Sequence, residues 1–287
     1  MCLLVPIIFA VTFFFMPESP MFMISKGKTE QAAKSLQKLR GKHYNIEGEM
    51  RAMQQNRALE QENKLPCRKA FSTKAAIKAI TISMFLMLFM QFCGINAAVF
   101  YSSSIFEEGG LISADTAGII IAVVQVIFVL VSIVIVDKLG RRILLIISAV
   151  SMALSCLGMG TYTIFSKNPD NHDMILKLSW VPLVTLCVYM AAFSTGFGPI
   201  PWMMIGELFP SAIKGIAGAI STTFCWIVAF FVTQSFGMIS DQLGKDWPFW
   251  IYGAACIIAA IFVYFCVPET KAKTLSQIQL MLGRSNN

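Results

Sequence analysis

Apolar residues in this chain fall in long blocks rather than in alternation. Seven stretches contain no Asp, Glu, Lys or Arg: residues 1–17, 79–106, 116–136, 143–166, 178–206, 215–240 and 247–268. A bilayer core about 30 Å thick takes about 20 apolar helical residues to cross. Six blocks have 21 residues or more and the first has 17. The pattern predicts an all-α, polytopic membrane protein with about seven transmembrane helices. Gly and Ser inside the blocks suit close helix–helix contact in lipid. Residues 18–78 are polar and rich in good helix formers. Short amphipathic helices are expected at 26–40 and 47–62, ending near Pro66, where Ala32, Ala33, Leu36 and Leu39 recur near helical spacing. The predicted organisation is a span at 1–17, a cytoplasmic helical loop at 18–78 lying under the membrane domain, a six-span bundle at 79–268 and a tail at 269–287.

Composition agrees with the pattern. Apolar residues make up 56% of the 287 and charged residues 14%, against about 25% charged in an average soluble domain. Soluble, disordered and collagen-like classes are excluded. The net charge of +7 is concentrated, with 13 of the 23 Lys and Arg between Lys26 and Lys78. Taking alternate loops together, one set carries 20 Lys and Arg and the other 3. The positive-inside rule makes the first set cytoplasmic, with the C-terminus, and puts the N-terminus outside. No reader motif accompanies the charge, so the expected partner is the lipid bilayer and not nucleic acid. Residues 1–17 lack the positive n-region of a cleaved signal peptide.

Candidate chemistry changes the picture less than charge does. Of eight cysteines, all but Cys67 lie in apolar blocks and none forms a CxxC pair, which reads as small apolar packing residues. The two histidines, His43 and His172, sit in polar stretches, so no metal site is expected. Gly27-Lys28-Thr29 would need a Gly at the position of Phe22 to be a P-loop. No cofactor motif and no catalytic constellation is visible.

Three segments stand out. Asp137-Lys138-Leu139-Gly140-Arg141-Arg142 is a six-residue turn between two spans. It reads either as topology-setting charge or as an ion-pair latch that closes in one state and opens in another. Gly196-Phe197-Gly198-Pro199-Ile200-Pro201-Trp202 sits in a 29-residue uncharged run. A straight helix of that length would reach about 43 Å, so Pro199 and Pro201 are expected to break it. Irregular backbone at membrane depth is tolerated where it is buried or lines a cavity, which favours a gate or binding site there. Gln91 and Asn96 are amides within 79–106. They either bond between helices or face a polar uncharged ligand. On an ideal helix they lie about 140° apart, so both serve one site only if the helix bends or unwinds near Gly94. Gln125 is a third intramembrane amide, and Trp202 and Trp226 offer flat indole faces. Amides and indoles without intramembrane charge match the hydroxyls and apolar face of a sugar.

With these residues in place, the chain resembles the C-terminal half of sugar porters of the major facilitator superfamily. The matches run from Pro17-Glu18-Ser19-Pro20 to Pro268-Glu269-Thr270-Lys271. Within the family the resemblance is strongest to insect facilitated trehalose transporters and animal facilitative hexose transporters. It implies that 1–17 is the family's sixth span and that the later blocks are its seventh to twelfth. It implies sugar contacts from Gln91, Ile95, Asn96, Gln125, Phe193, Gly198, Trp202 and Trp226. It further implies a cytoplasmic charge network of Asp137, Arg141, Arg142 and Glu207, with Lys214 in place of the usual Arg. Met90 stands where a first Gln is usual, Cys225 where Asn precedes the indole, Met21 where Arg follows PESP, and Ala272 where Gly follows PETK.

The implied function is transport of a hexose or trehalose across the plasma membrane, by facilitated diffusion through alternating access, with no enzyme activity and no cofactor. Such transporters rock two six-span halves about a central site, so the chain is expected to be a fragment of a twelve-span carrier, with Met1 an incomplete start. The expected partners are then a sugar and the other six-span half. The alternative is a non-transporting half-carrier that associates with or regulates a full-length transporter.

Overall fold

The computed structural model describes residues 4–62, 71–100, 113–166 and 178–283. Among the described residues there are thirteen α-helices and no strand. The chain divides into two compact units, Met1–Pro66 and Cys67–Asn287.

The first unit begins with α1 (Leu4–Phe14), apolar on every side and exposed throughout. Its eleven residues reach about 16 Å, roughly half a bilayer core, so the first predicted span appears as a short apolar helix. Pro17 explains the stop, because the residue before a proline is steered out of helical geometry. Pro20 opens α2 (Pro20–Ser25) at a position where its missing N–H is not needed. Next come α3 (Thr29–Arg40) and α4 (Glu47–Glu62), matching the two helices expected in the loop. Ala32 and Leu36, one turn apart on α3, pack with Met50 of α4 into a small core. Leu39 stays exposed. Arg40 grips Glu49 with two bonds, at 2.7 and 3.1 Å. Residues 63–70, where the end of this loop was expected, lie outside the described residues.

The second unit holds α5 (Lys74–Phe92), α6 (Ile95–Phe100), α7 (Ala114–Leu139), α8 (Arg141–Ser166), α9 (Val181–Thr195), α10 (Ile200–Leu208), α11 (Ser211–Leu243), α12 (Trp247–Cys266) and α13 (Leu275–Gly283). Six segments are long and apolar enough to cross a membrane: Lys74–Val99, Asp115–Leu139, Arg141–Ser166, Val181–Leu208, Ile213–Leu243 and Trp247–Cys266. They correspond to the last six charge-free blocks, but several run past them, because helices continue through terminal charged residues whose stems extend toward water. The bundle is arranged around α8, which packs against α12 and α9, while α5 packs against α11. Small side chains let these helices approach closely: Ala149, Ala153, Cys156, Cys256 and Ala259 are all buried. Ser83 of α5 and Ser221 of α11 share a buried hydrogen bond at 3.1 Å.

Two of the spans are broken. The first stops at Phe92 and restarts at Ile95, and the fourth stops at Thr195 and restarts at Ile200. Pro199 precedes α10 and Pro201 lies in its first turn, as the two prolines in the run demand. Neighbouring serines bond the backbone around this break, where the Ala192 carbonyl keeps its helical partner, the Gly196 N–H, while the Phe197 N–H and Thr195 carbonyl rely on side chains. Ser148 Oγ of α8 donates to the Ala192 carbonyl at 2.7 Å and accepts from the Phe197 N–H at 3.2 Å. Ser132 Oγ of α7 donates to the Thr195 carbonyl at 2.9 Å. Gly196 lies so close that a Cβ there would stand 2.4 Å from Ser148 Cβ.

Ser148→Ala should therefore destabilise the detergent-solubilised protein by about 1–3 kcal/mol, since it strands the buried Phe197 N–H. Thr161→Ala, which removes only a bond to the preceding turn of its own helix, should stay within about 0.5 kcal/mol. Thermal unfolding of both variants checks this, and equal effects would remove Ser148 from its supporting role.

Candidate functional site

The break in the first long span places the candidate site. Gly94 adopts φ +86°, a left-handed conformation that a Cβ disfavours. The Tyr252 ring occupies the space beside it, and a Cβ on Gly94 would lie 2.4 Å from Tyr252 Cδ2. The freed Cys93 carbonyl accepts from Tyr189 Oη at 2.7 Å. The chain turns at Gly94, and Asn96 comes back toward Gln91. Asn96 Nδ2 donates to Gln91 Oε1 at 2.7 Å. Gln91 Nε2 donates to Cys225 Sγ of α11 at 3.1 Å. The two amides that an ideal helix would hold on different faces thus meet because the helix unwinds.

The other expected contact residues are placed as follows. Ile95 and Phe193 are buried in the apolar core. Gly198, half-buried, donates its N–H to the Phe193 carbonyl at 2.7 Å and so shapes the second break. Gln125 is half-buried on α7. Trp202 is 36% exposed and Trp226 62%, so both indoles stand at the surface of this bundle. Trp226 borders a shallow open pocket with Thr222, Thr223, Ile227 and Phe230. The structure therefore joins Gln91, Asn96 and Cys225 by direct bonds, and leaves Gln125 half-buried and Trp202 and Trp226 exposed. Of these, Cys225 had signalled itself in the sequence only by preceding Trp226.

The charged residues gather at one set of helix ends. Gly140, at φ +92°, reverses the chain between α7 and α8 in a single residue. Arg141 Nη2 lies 3.2 Å from Asp137 Oδ1 and 3.1 Å from Glu207 Oε1. Glu207 Oε2 accepts from Thr270 Oγ1 at 2.5 Å. Arg142 bonds the Tyr264 carbonyl and covers the Tyr264 ring, its guanidinium 5.3 Å from the centroid. Lys214 does not join this group among the described residues. Both Glu207 oxygens are already engaged, and the exposed Lys214 ammonium lies near Gly206 instead.

Glu269 is a member that the sequence did not reveal in this role. Its Oε1 accepts from the Arg141 N–H at 3.1 Å and its Oε2 from the Arg142 N–H at 3.1 Å. These are orphan donors at the start of α8, capped by a carboxylate from 128 residues away. Anionic charge suits that helix end. Its Oε1 also accepts from the Lys271 N–H at 2.9 Å. Partial burial pushes the Glu269 carboxyl up, but the backbone N–H groups of Lys271, Arg141, Arg142 and Thr270 outweigh it and hold the group below its ordinary value. The cluster thus ties the α7–α8 turn, the end of α10 and the segment after α12 into one electrostatic unit.

A family model described as sugar (and other) transporter matches residues 1–282. The chain is 39% identical over 279 residues to the facilitated trehalose transporter Tret1 of Bombyx mori, covering 97% of this chain and 55% of that protein. It is 38% identical to the Tret1 of Anopheles gambiae, covering 97% of this chain and 35% of that one. Among solved structures, the proton:xylose symporter XylE bound to 6-bromo-6-deoxy-D-glucose superposes with a TM-score of 0.72 at 29% identity, covering 96% of this chain and 56% of XylE. An inward-open form of XylE gives a TM-score of 0.71. The chain spans about half the length of these proteins or less.

Two outcomes follow from the charged cluster. Gly41 and Gly140 share φ +92°, where a non-glycine residue is strained by about 1–3 kcal/mol. A Cβ on Gly41 meets nothing, whereas one on Gly140 would lie 2.6 Å from Glu269 Oε2. Gly140→Ala should lower the melting temperature more than Gly41→Ala, and equal losses would show that the Glu269 contact adds nothing. The second outcome concerns pH. Because the folded Glu269 carboxyl lies below its ordinary value of 4.5, its stabilisation is present above that value and lost as pH falls through the folded one. The gap in melting temperature between the native chain and Glu269→Gln should hold at neutral pH and close on acidification. A gap that widens on acidification would reverse the assignment.

Proposed function

Because the chain belongs to the sugar transporter family, we propose that it works as the C-terminal-type half of a multi-pass sugar carrier, moving a hexose or trehalose by alternating-access facilitated diffusion. The observation that carries this reading is the unwound segment at Gly94, where Gln91 and Asn96 meet at membrane depth. A continuous helix would spend both amides on neighbouring helices. An unwound one concentrates hydrogen-bonding groups at one place, which suits a ligand made of hydroxyls. Discontinuous helices near the midplane are the usual seat of transporter binding sites. Asn96 and Gln125 supply amides, Trp202 and Trp226 supply apolar faces for a sugar ring, and Gln91, Ile95, Phe193 and Gly198 shape the wall behind them.

The charged cluster would then act on cycling rather than on binding. Arg141 couples the α7–α8 turn to the end of α10, and α10 follows the second break. A carrier must separate or shift such helix ends when it changes its opening, and ion pairs at the water interface give the two arrangements distinct energies. Related proteins are about twice as long, so a counterpart six-span half would complete the cavity on the side where Trp202 and Trp226 are exposed. The plasma membrane, with the C-terminus cytoplasmic, is the proposed location, supported by the excess of Lys and Arg in the loops on that side.

Tracer uptake by cells expressing the transcript's complete in-frame chain tests the proposal. Gln91→Ala and Trp202→Ala should each cut sugar uptake by at least about tenfold, equivalent to about 1.4 kcal/mol, at normal surface expression. Asp137→Ala and Glu207→Ala should slow turnover while leaving sugar affinity within about twofold. Full uptake by the first pair would remove the site assignment, and unchanged turnover in the second pair would remove the latch. A complete chain that reaches the surface and moves no sugar would favour a half-carrier acting on another transporter.

A further inference from the structure

Gln91 is buried, only 4% exposed, and so is Cys225. Both ends of the Gln91 amide are engaged. Its Nε2 donates to Cys225 Sγ, and its Oε1 accepts from Asn96 Nδ2. Flipping the Gln91 amide alone would set its NH2 group against the Asn96 NH2 group and lose that bond, while its oxygen could still accept from the Cys225 thiol. The two bonds hold Gln91 in place between Cys225 and Asn96, and Asn96 in place against Gln91. Its Nδ2 faces Gln91, so its Oδ1 is turned to the opposite side. Asn96 is half-buried, and among the described residues its Oδ1 accepts no hydrogen bond from a side chain. A chain of three residues therefore runs from α11 through α5 to α6, across the break at Gly94.

We propose that Cys225 is a positioning residue for the sugar site: through Gln91 it fixes the Asn96 amide so that Oδ1 is presented as an acceptor for a sugar hydroxyl. This rests on the reading of the Gly94 break as a sugar site. The same contact acts along α11. Trp226 follows Cys225, about 100° round the helix, and is 62% exposed. Anchoring the thiol on Gln91, one turn from the Ser83–Ser221 bond, sets the rotation of α11 and so aims the indole. Sulfur is a weak acceptor, so the relay depends on close burial. Serine in its place keeps an acceptor with shorter reach, and alanine keeps none.

The test is a set of double-mutant cycles on the full chain in detergent, read by thermal unfolding. Cys225 and Asn96 share no bond, so any coupling between them passes through Gln91. The melting-temperature losses of Cys225→Ala and Asn96→Ala should be non-additive in the native background and additive in a Gln91→Ala background. Additive losses in the native background overturn the relay. If Cys225→Ala does not fold, Cys225→Ser supplies the same cycle. The second arm is sugar uptake by the complete in-frame chain. Cys225→Ala should raise KM about three- to tenfold, the loss of roughly one neutral hydrogen bond, with the maximal rate kept, and Cys225→Ser should recover most of the affinity. An unchanged KM alongside clear coupling would make Cys225 a packing residue only and overturn the positioning role. A native chain that carries no sugar would end the transport reading and the sugar role with it, while the cycles alone would still decide the relay.

Discussion

At membrane depth there is no water to accept or donate a hydrogen bond, so every backbone group released by a broken helix must find a partner in the protein. Much of the second unit is organised around that constraint. Two spans are interrupted, at Cys93–Gly94 and at Gly196–Pro199, and each interruption is served by side chains of its neighbours. Tyr189 takes the Cys93 carbonyl, Ser148 serves both Ala192 and Phe197, and Ser132 takes the Thr195 carbonyl. Tyr189 lies on α9, the helix that ends at the second break, while its hydroxyl supports the first. The two breaks are therefore linked through one helix: α9 supports the first, and α7 and α8 support the second, which interrupts α9's own span.

Once the breaks are supported, they can hold chemistry. An intact α5 would place Gln91 and Asn96 on different faces. Unwinding at Gly94 lets the second amide cap the first, and the buried Gln91 bonds Cys225 with its other end. A different solution applies at the helix ends, where water is near and charge is tolerated. There Arg141, Glu207 and Glu269 join three segments distant in sequence. Apolar packing brings the helices together, and the carboxylates then set how their ends are arranged.

Several features could be read before any tertiary structure was known. Length and absence of charge located six spans, because bilayer thickness acts on composition directly. The break before α10 followed from Pro199 and Pro201, whose effect is local. The break at Gly94 could be posed only as a condition, since it depended on whether Gln91 and Asn96 shared a site. Glu269 was visible as part of a motif, but its capping of Arg141 and Arg142 spans 128 residues and leaves no periodic signal. Lys214 had the right charge at the right spacing and still lies apart, because Thr270 and Arg141 already occupy the Glu207 carboxylate.

The sequence by itself determined the class of molecule, the spans, the kinked fourth span and the residue types able to recognise a hydroxyl-rich ligand. These follow from local rules: transfer of apolar surface out of water, the fixed φ of proline, and the donor and acceptor inventory of each side chain. Only the tertiary structure decided which amide is buried and which half-buried, which serine supports which carbonyl, and which carboxylate caps α8. Those outcomes turn on distances of a few ångströms between residues far apart in the chain, and they are set by how small side chains let helices approach.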